Sequence, residues 1–333
     1  MVDATNGTFV DVDVEGPYGQ VAAARYGFLG GGGDAGQPRA VIEMSAASGL
    51  QFRTDESMSP RDASTFGTGQ LIGDALDRGA KHIILGLGGS ATNDGGAGMA
   101  QALGVKLVDA NGDPLVRGGA ALLDLHAIDM SDVHPGIKGC VFEVACDVDN
   151  PLIGPRGASA IFGPQKGATR EDVASLDRAL ERLATVTADF GFHVDADHPG
   201  AGAAGGLGFG ALTFLSAKLT PGIDVVIKAV GLRAALDGAD LLITGEGQID
   251  RQTLSGKTPF GAMRVATEAG VPTIAMVGRV GPGADEVIDA GMTAIFSIVP
   301  GPTDVSSALE STRANLQRTA RNIAALWQAR GFD

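Results

Sequence analysis

Four short segments hold residues whose types and spacing could do phosphate chemistry. In Gly88-Gly89-Ser90-Ala91-Thr92-Asn93-Asp94-Gly95-Gly96, consecutive glycines let backbone N–H groups face an anion, with the hydroxyls of Ser90 and Thr92 beside them. A helix starting near Gly96 would aim its positive end at the same place. The competing reading is a tight turn in which Asn93 or Asp94 caps that helix. Asp147 and Asp149 occupy alternate positions at the end of an apolar run. On a strand they point the same way, able to share a Mg²⁺ or to divide metal and base roles. Turn chemistry ahead of Pro151 explains them equally well. Gly163-Pro164-Gln165-Lys166-Gly167 sets one cation in a Pro/Gly turn, where Lys166 could balance phosphate charge, although a lone loop lysine is ordinarily solvated. Glu246 and Asp250, with Lys257 beyond them, supply acids for a metal and a cation for a transferring phosphoryl group. The plainer reading there is a solvated acidic loop.

These segments need a scaffold, and hydrophobic periodicity supplies one. Thr8 to Val14 alternates as a strand, a Gly16-Pro17-Tyr18-Gly19 turn follows, Gln20 to Gly27 resumes, and Ala40 to Met44 gives a third strand. From Gly67 the period becomes helical, with Leu71, Ile72, Ala75 and Leu76 on one face. Beyond it, apolar strands at His82 to Leu87, Cys140 to Cys146 and Asp240 to Thr244 each run into a polar or glycine-rich loop. Thr273 to Val277 and Thr293 to Val299 read as further buried strands, and 171–189, 222–236, 259–269 and 303–329 as helices. Strands alternating with helices predict an α/β fold with a largely parallel sheet. Ligands in such sheets gather at the carboxyl ends of strands, where the three polar loops lie.

Composition removes whole classes of function. The chain has 333 residues, 44% of them hydrophobic and 19% charged, so it can build a large core. Its net charge of −14 opposes that of a nucleic-acid binder. Two cysteines, Cys140 and Cys146, are too few for a disulfide framework or a zinc site. Five scattered histidines form no ligand pair, and nothing resembles a Ser-His-Asp arrangement. No signal peptide opens the chain, and the uncharged run Pro199 to Ala217 is too rich in glycine to span a membrane. It reads as a loop feeding a helix, and the expected location is cytoplasmic. Two familiar patterns fail. Gly200-Ala201-Gly202-Ala203-Ala204-Gly205 fits the dinucleotide spacing, with Asp224 beyond it, but a poor strand precedes it. Ser255-Gly256-Lys257-Thr258 resembles the end of a Walker loop, yet Arg251 stands where the leading glycine belongs.

The blocks IILGLGGSATNDGGAGMAQALGV (83–105), ACDVDNPLIGPRGASAIFGPQKGAT (145–169), GAGAAGGLGFGALTFL (200–215) and DLLITGEGQIDRQTLSGKTPFGA (240–262) resemble the signature blocks of the type I glycerate kinases. The resemblance runs from about Thr5 to the C-terminus, with the blocks in family order. It implies transfer of the γ-phosphoryl group of ATP, with Mg²⁺, to a hydroxyl of D-glycerate, giving 2- or 3-phosphoglycerate. It also implies two dissimilar α/β domains, one Rossmann- or flavodoxin-like with a parallel sheet and the other inserted in it, with the site in the cleft. On that pattern 1–236 is the inserted domain and 237–333 the C-terminal part of the Rossmann-like one. The resemblance would set Gly88, Gly89, Ser90, Thr92, Asn93, Asp94, Asn150, Gln165, Gly202, Gly205, Gly206, Glu246, Asp250 and Lys257 around substrate and ATP. Asp147, Asp149 and Lys166 are the expected catalytic residues, and Asp147, Asp149 and Glu246 the expected metal ligands. D-glycerate is the expected partner, with no nucleic acid or membrane, and a homodimer is one option for assembly.

The family's opening blocks, a strand and loop like APDSFKG and a later loop like DGGEGT, have no counterpart here. A βαβ unit, about 30 residues or more, is therefore expected upstream, through a late start codon or in a true fragment of impaired activity. Without it, hydrophobic faces of the C-terminal sheet would stand uncovered. Two rivals follow from the same residues: an oxidoreductase using Gly200 to Gly205, and a binding protein without turnover.

Overall fold

The computed structural model describes residues 1–31, 36–256 and 258–329. Its chain divides into two compact units, Met1–Val225 and Val226–Asp333.

The first unit is built on a six-stranded sheet. Its strands are β1 (Thr8–Glu15), β2 (Val21–Phe28), β3 (Arg39–Glu43), β4 (His82–Gly86), β7 (Val141–Ala145) and β8 (Lys218–Thr220), adjacent in that order. The intervening β5 (Lys106–Val108) and β6 (Ala127–Asp129) form a separate antiparallel pair. β1 and β2 are an antiparallel hairpin in register from Thr8 opposite Phe28 to Glu15 opposite Val21. From β3 to β8 every pairing is parallel. The sequence records that change. β2 alternates, with Ala22, Ala24 and Tyr26 inward and Arg25 outward, as a one-sided strand should. In β4 the consecutive Ile83, Ile84 and Leu85 are all buried, because helices cover both faces of a parallel strand.

The helices of this unit are α1 (Ser45–Ser48), α2 (Phe66–Asp77), α3 (Ala97–Ala102), α4 (Ala158–Phe162), α5 (Arg170–Phe190) and α6 (Ala203–Leu215). α5 opens on a capping box in which Thr169 and Asp172 satisfy each other's backbone N–H. It buries Leu176, Ala179, Leu180, Leu183 and Val186, the stripe of a helix lying on a core. One core joins α2 and α6 to the large sheet, with Ile42, Leu71, Ile83 and Leu207 at its centre. A second gathers α5, the β5–β6 pair and Phe209. The run 199–217 is thus a turn-rich entry followed by a buried helix, as its glycine content predicted.

The boundary between the units falls inside α7 (Gly222–Val230). The second unit continues with α8 (Leu232–Ala235), β9 (Leu242–Ile249), α9 (Thr258–Glu268), β10 (Thr273–Val280), α10 (Ala284–Asp289), β11 (Ala294–Ser297), α11 (Val305–Glu310) and α12 (Thr312–Ala329). Its sheet is parallel, ordered β11-β10-β9. The parallel α/β organisation expected from the alternating pattern is therefore present.

Three local expectations need correction. The helix expected over 222–236 breaks at Gly231, whose φ of +68° lies outside helical space, and that over 303–329 breaks at Ser311. The segment read as a loop after Asp240 to Thr244 is strand through Ile249, because β10 pairs with it as far as Val280 opposite Ile249. Along β9 half-buried and exposed residues alternate, and Ile243 is exposed.

Candidate active site

In the first unit, a cavity of about 460 Å³ opens at the carboxyl ends of β4 and β7. Five of the residues singled out from the sequence as a phosphate-handling set line it together: Gly88, Gly89, Ser90, Asp147 and Gln165, and Lys166 makes a sixth. Leu50, Cys146, Phe162, Ala203 and Ala204 add walls that pattern reading did not flag. The N–H groups of Gly88, Gly89 and Ser90 donate to no atom among the described residues. Three consecutive unspent donors beside a cavity are an invitation to an anion.

The rest of that loop turns inward. Thr92, Asn93 and Asp94 are fully buried beneath the cavity. The Asp94 carboxyl accepts from the Thr65 N–H at 2.7 Å, the Thr65 hydroxyl at 2.9 Å, and the Gly96 and Gly98 N–H groups at 3.2 Å each. Burial pushes its pKa up against the downward pull of those four donors. Asp94 therefore caps α3 and ties it to the start of α2, which is the turn-and-cap alternative weighed for this loop. The N-terminus of α3 is occupied by protein and is not offered to a ligand. Asn93 donates from Nδ2 to Ser159 at 3.0 Å, joining the loop to α4.

Lys166 overturns the expectation of a solvated loop lysine. It closes a 3₁₀ turn, Pro164–Lys166, and is only 1% exposed. Its Nζ donates to the Thr92 carbonyl at 2.7 Å. Burial pushes the ammonium down to about 7, with the charge of Asp94 working the other way. An amine half-charged near neutral pH on the wall of this cavity is strongly perturbed, and such groups concentrate at functional sites.

The two aspartates predicted to share a cation part company, because β7 ends at Ala145 and the chain beyond it no longer alternates. Asp147 remains at the cavity and takes the Gly222 N–H at 2.8 Å on Oδ1. Asp149 pairs with Arg156 at 3.1 Å, both exposed. Asn150 and Gly202 are not among the residues lining the cavity and are engaged with backbone instead: Gly202 N–H donates to the Asn150 carbonyl, and Asn150 Nδ2 to that of Arg156. Gly205 and Gly206 have φ of +70° and +88°, and a Cβ on Gly205 would lie 2.0 Å from the Thr92 carbonyl oxygen. Only glycine lets the start of α6 come this close to the loop.

In the second unit, Glu246 and Gln248 of β9, Met276 and Arg279 of β10, and Asp304 and Leu309 line a cavity of about 690 Å³. It too lies at the carboxyl ends of parallel strands. Asp250 stands apart from it, capping the 3₁₀ turn Arg251–Ser255 by accepting from the Gln252 N–H at 2.9 Å. Lys257 lies outside the described residues. Arg279 went unflagged in the sequence, although its place at the end of a buried strand is the signal that could have found it.

A metal held by protein alone finds no support here: among the described residues no three His, Cys, Asp or Glu groups gather as a cation site. Mg²⁺ commonly keeps one or two carboxylates and otherwise binds substrate phosphates and water. Asp147 in one cavity and Glu246 in the other suit an ion of that kind. Residues 191–202 contain no strand, so the dinucleotide fingerprint lacks the context it requires. No helix among the described residues is long and apolar enough to cross a membrane.

Comparison with known proteins places these features in a family. The model of the glycerate kinase family matches residues 1–328. A glycerate kinase of Halalkalibacterium halodurans is 48% identical over 324 residues, covering 97% of this chain and 84% of the relative. A glycerate 2-kinase of Escherichia coli is 45% identical over 326 residues, with coverage of 98% and 84%. The crystal structure of a glycerate kinase 2 from Salmonella typhimurium LT2 superposes with a TM-score of 0.87 at 46% identity, covering 99% of this chain and 85% of that one.

Proposed function

The chain belongs to the glycerate kinase family and is a kinase, and we propose that it transfers the γ-phosphoryl group of ATP, with Mg²⁺, to D-glycerate. The observation that carries this reading is the cavity of the first unit, where an unspent run of N–H donors, a buried lysine and an aspartate converge. Phosphoryl transfer asks little covalent chemistry of a protein. It asks for positioned reactants, an acceptor for the hydroxyl proton and compensation of the phosphoryl charge.

In this reading Asp147 takes the proton of the attacking hydroxyl. Its Oδ1 is held by the Gly222 N–H, which fixes the carboxylate while Oδ2 is left for substrate. Gly88, Gly89, Ser90 and Gln165 orient the small acid or the phosphoryl group. Thr92, Asn93, Asp94, Asn150, Gly202, Gly205 and Gly206 hold that loop in shape. Mg²⁺ would arrive with the nucleotide and supply neutralisation of phosphate charge, with Glu246, an acid of the second unit's cavity, to hold it. The larger, more apolar cavity of the second unit is the place proposed for the nucleotide. We further assign 1–236 to the inserted domain and 237–333 to the C-terminal part of the Rossmann-like one. The name of the Escherichia coli relative favours 2-phosphoglycerate as product, and the cytoplasm is the proposed location.

The test is ADP release by the purified chain with ATP, Mg²⁺ and D-glycerate, against blanks lacking acid or metal, with the product identified by ³¹P NMR. Release that needs both acid and metal is expected. Binding of glycerate or nucleotide without any release would replace the kinase reading with that of a binding protein.

A further inference from the structure

Resting on the kinase reading, we propose that the cavity of the first unit is the acceptor site, where a small hydroxy acid is held by its carboxylate on the Lys166 ammonium and the free N–H groups of Gly88 to Ser90. Three observations point this way. Lys166 is almost wholly buried, and among the described residues one acceptor, the Thr92 carbonyl, is matched to its three donor positions. A buried ammonium with open donors is expensive unless an anion completes it. The lysine reaches the same cavity as Asp147, so carboxylate and hydroxyl of one short acid find a cation and a base within a single small volume.

Charge decides between this acid and a nucleotide's phosphates. The ionisable groups facing Lys166 are Asp94 below it and Asp147 across the cavity, with the Cys146 thiol beside Asp147 and the Arg53 guanidinium over the following Gly167. Burial holds that thiol above its ordinary range, so it stays neutral. Two aspartates against the buried lysine and the Arg53 guanidinium leave little positive potential to spare. A monoanion can be accommodated; a triphosphate would bring several further negative charges into the same volume.

Proton traffic follows. The free lysine titrates at about 7, and a carboxylate on it raises that value, so binding takes up a proton above neutrality. The charged fraction falls about tenfold between pH 6 and pH 8 for a group titrating at about 7, and affinity for the acid falls with it.

Calorimetry on the full chain tests this with D-glycerate, lactate and glycerol, at pH 6 and 8, in two buffers of different ionisation heat. The expected result is proton uptake at pH 8, affinity for both acids about tenfold weaker there than at pH 6, and no binding of glycerol. Lys166→Gln should raise the KM for D-glycerate by about tenfold to a hundredfold, the range for a charged hydrogen bond, and leave that for ATP nearly unchanged. Binding without proton uptake and with equal affinity at both pH values overturns the proposal, as does a Lys166→Gln enzyme whose KM rises for ATP alone. The buffer comparison uses the unaltered chain, so a variant that fails to fold decides nothing by itself. D-glycerate turnover without proton-linked binding removes this proposal and keeps the kinase. Proton-linked binding of lactate without any D-glycerate turnover removes the substrate and keeps the site.

Discussion

Asp94 offers the sharpest test of how the phosphate-type loop is held. Its carboxyl is fully buried and receives four hydrogen bonds, three of them on Oδ2: the Thr65 N–H and hydroxyl and the Gly98 N–H, with the Gly96 N–H on Oδ1. Asp94→Ala strands three backbone N–H groups in the interior, while the Thr65 hydroxyl can rotate. A buried donor left without a partner costs about 1–3 kcal/mol, so the sum is about 4 kcal/mol after partial relaxation. Asp94→Asn keeps the shape. With its oxygen in the Oδ2 position it retains three bonds and sets an amide NH₂ against the Gly96 N–H, for about 2 kcal/mol. Each kcal/mol lowers the melting temperature of a 150–250-residue domain by about 2–4 °C, and the first unit falls in that range. Calorimetric melting should therefore show losses of about 8–16 °C for Asp94→Ala and 4–8 °C for Asp94→Asn. If Asp94→Ala melts within 3 °C of wild type, the capping account is wrong and the buried carboxyl is held by something else.

Three further outcomes follow from the same geometry. Gly205→Ala puts a Cβ 2.0 Å from the Thr92 oxygen at a φ of +70°, so it should lose about 3 kcal/mol in urea unfolding. Gly139→Ala, with nothing within 4 Å of its Cβ, should change stability by less than about 1 kcal/mol, and equal midpoints for the two would refute the close-approach argument. Because the folded chain lowers Lys166 from 10.5 to about 7, the unfolded state holds more protons between those values, and stability should rise with pH there at up to about 1.4 kcal/mol per unit. Lys166→Met should flatten that rise, and an unchanged slope would mean that the lysine is not buried in solution. Asp147→Asn should lower turnover by about 10²–10⁴-fold, the usual worth of a positioned base, whereas Asp149→Asn, losing an exposed pair with Arg156, should stay within about fivefold. Turnover close to wild type in Asp147→Asn would remove the proton-acceptor role.

Much of the fold was legible because its strands announce their burial. Ile83-Ile84-Leu85 is a run that only a strand covered on both faces tolerates, and the alternation of Ala22, Ala24 and Tyr26 marks the one-sided, antiparallel part of the same sheet. Where β9 ends was not legible. Gly245-Glu246-Gly247-Gln248 looks like a turn in one dimension, and it is strand because β10, some thirty residues on, supplies a partner for its backbone as far as Ile249. The break at Gly231 was available in the sequence, since glycine readily takes the left-handed conformation found there.

The site divides along the same line. Residue types found the right segments: six of the positions chosen for phosphate chemistry line one cavity, although they come from three stretches of chain. What residue types could not reveal was direction. Gly88 to Ser90 and Thr92 to Asp94 are neighbours in one loop, yet the first three face the cavity and the last three are packed beneath it. Lys166 is the clearest case. A lysine between glutamine and glycine in a Pro/Gly turn is solvated in most proteins, and nothing within five residues says otherwise. Its burial is decided 74 residues away, where the Thr92 carbonyl is left without a helical or strand partner and takes the Nζ instead. The burial that hides the lysine from solvent, and not the carbonyl contact itself, lowers its proton affinity to the neutral range. Burial and titration therefore have one origin, and the stability and binding experiments on Lys166 must agree: a lysine that destabilises the fold when charged is one whose charge an acid ligand is rewarded for completing.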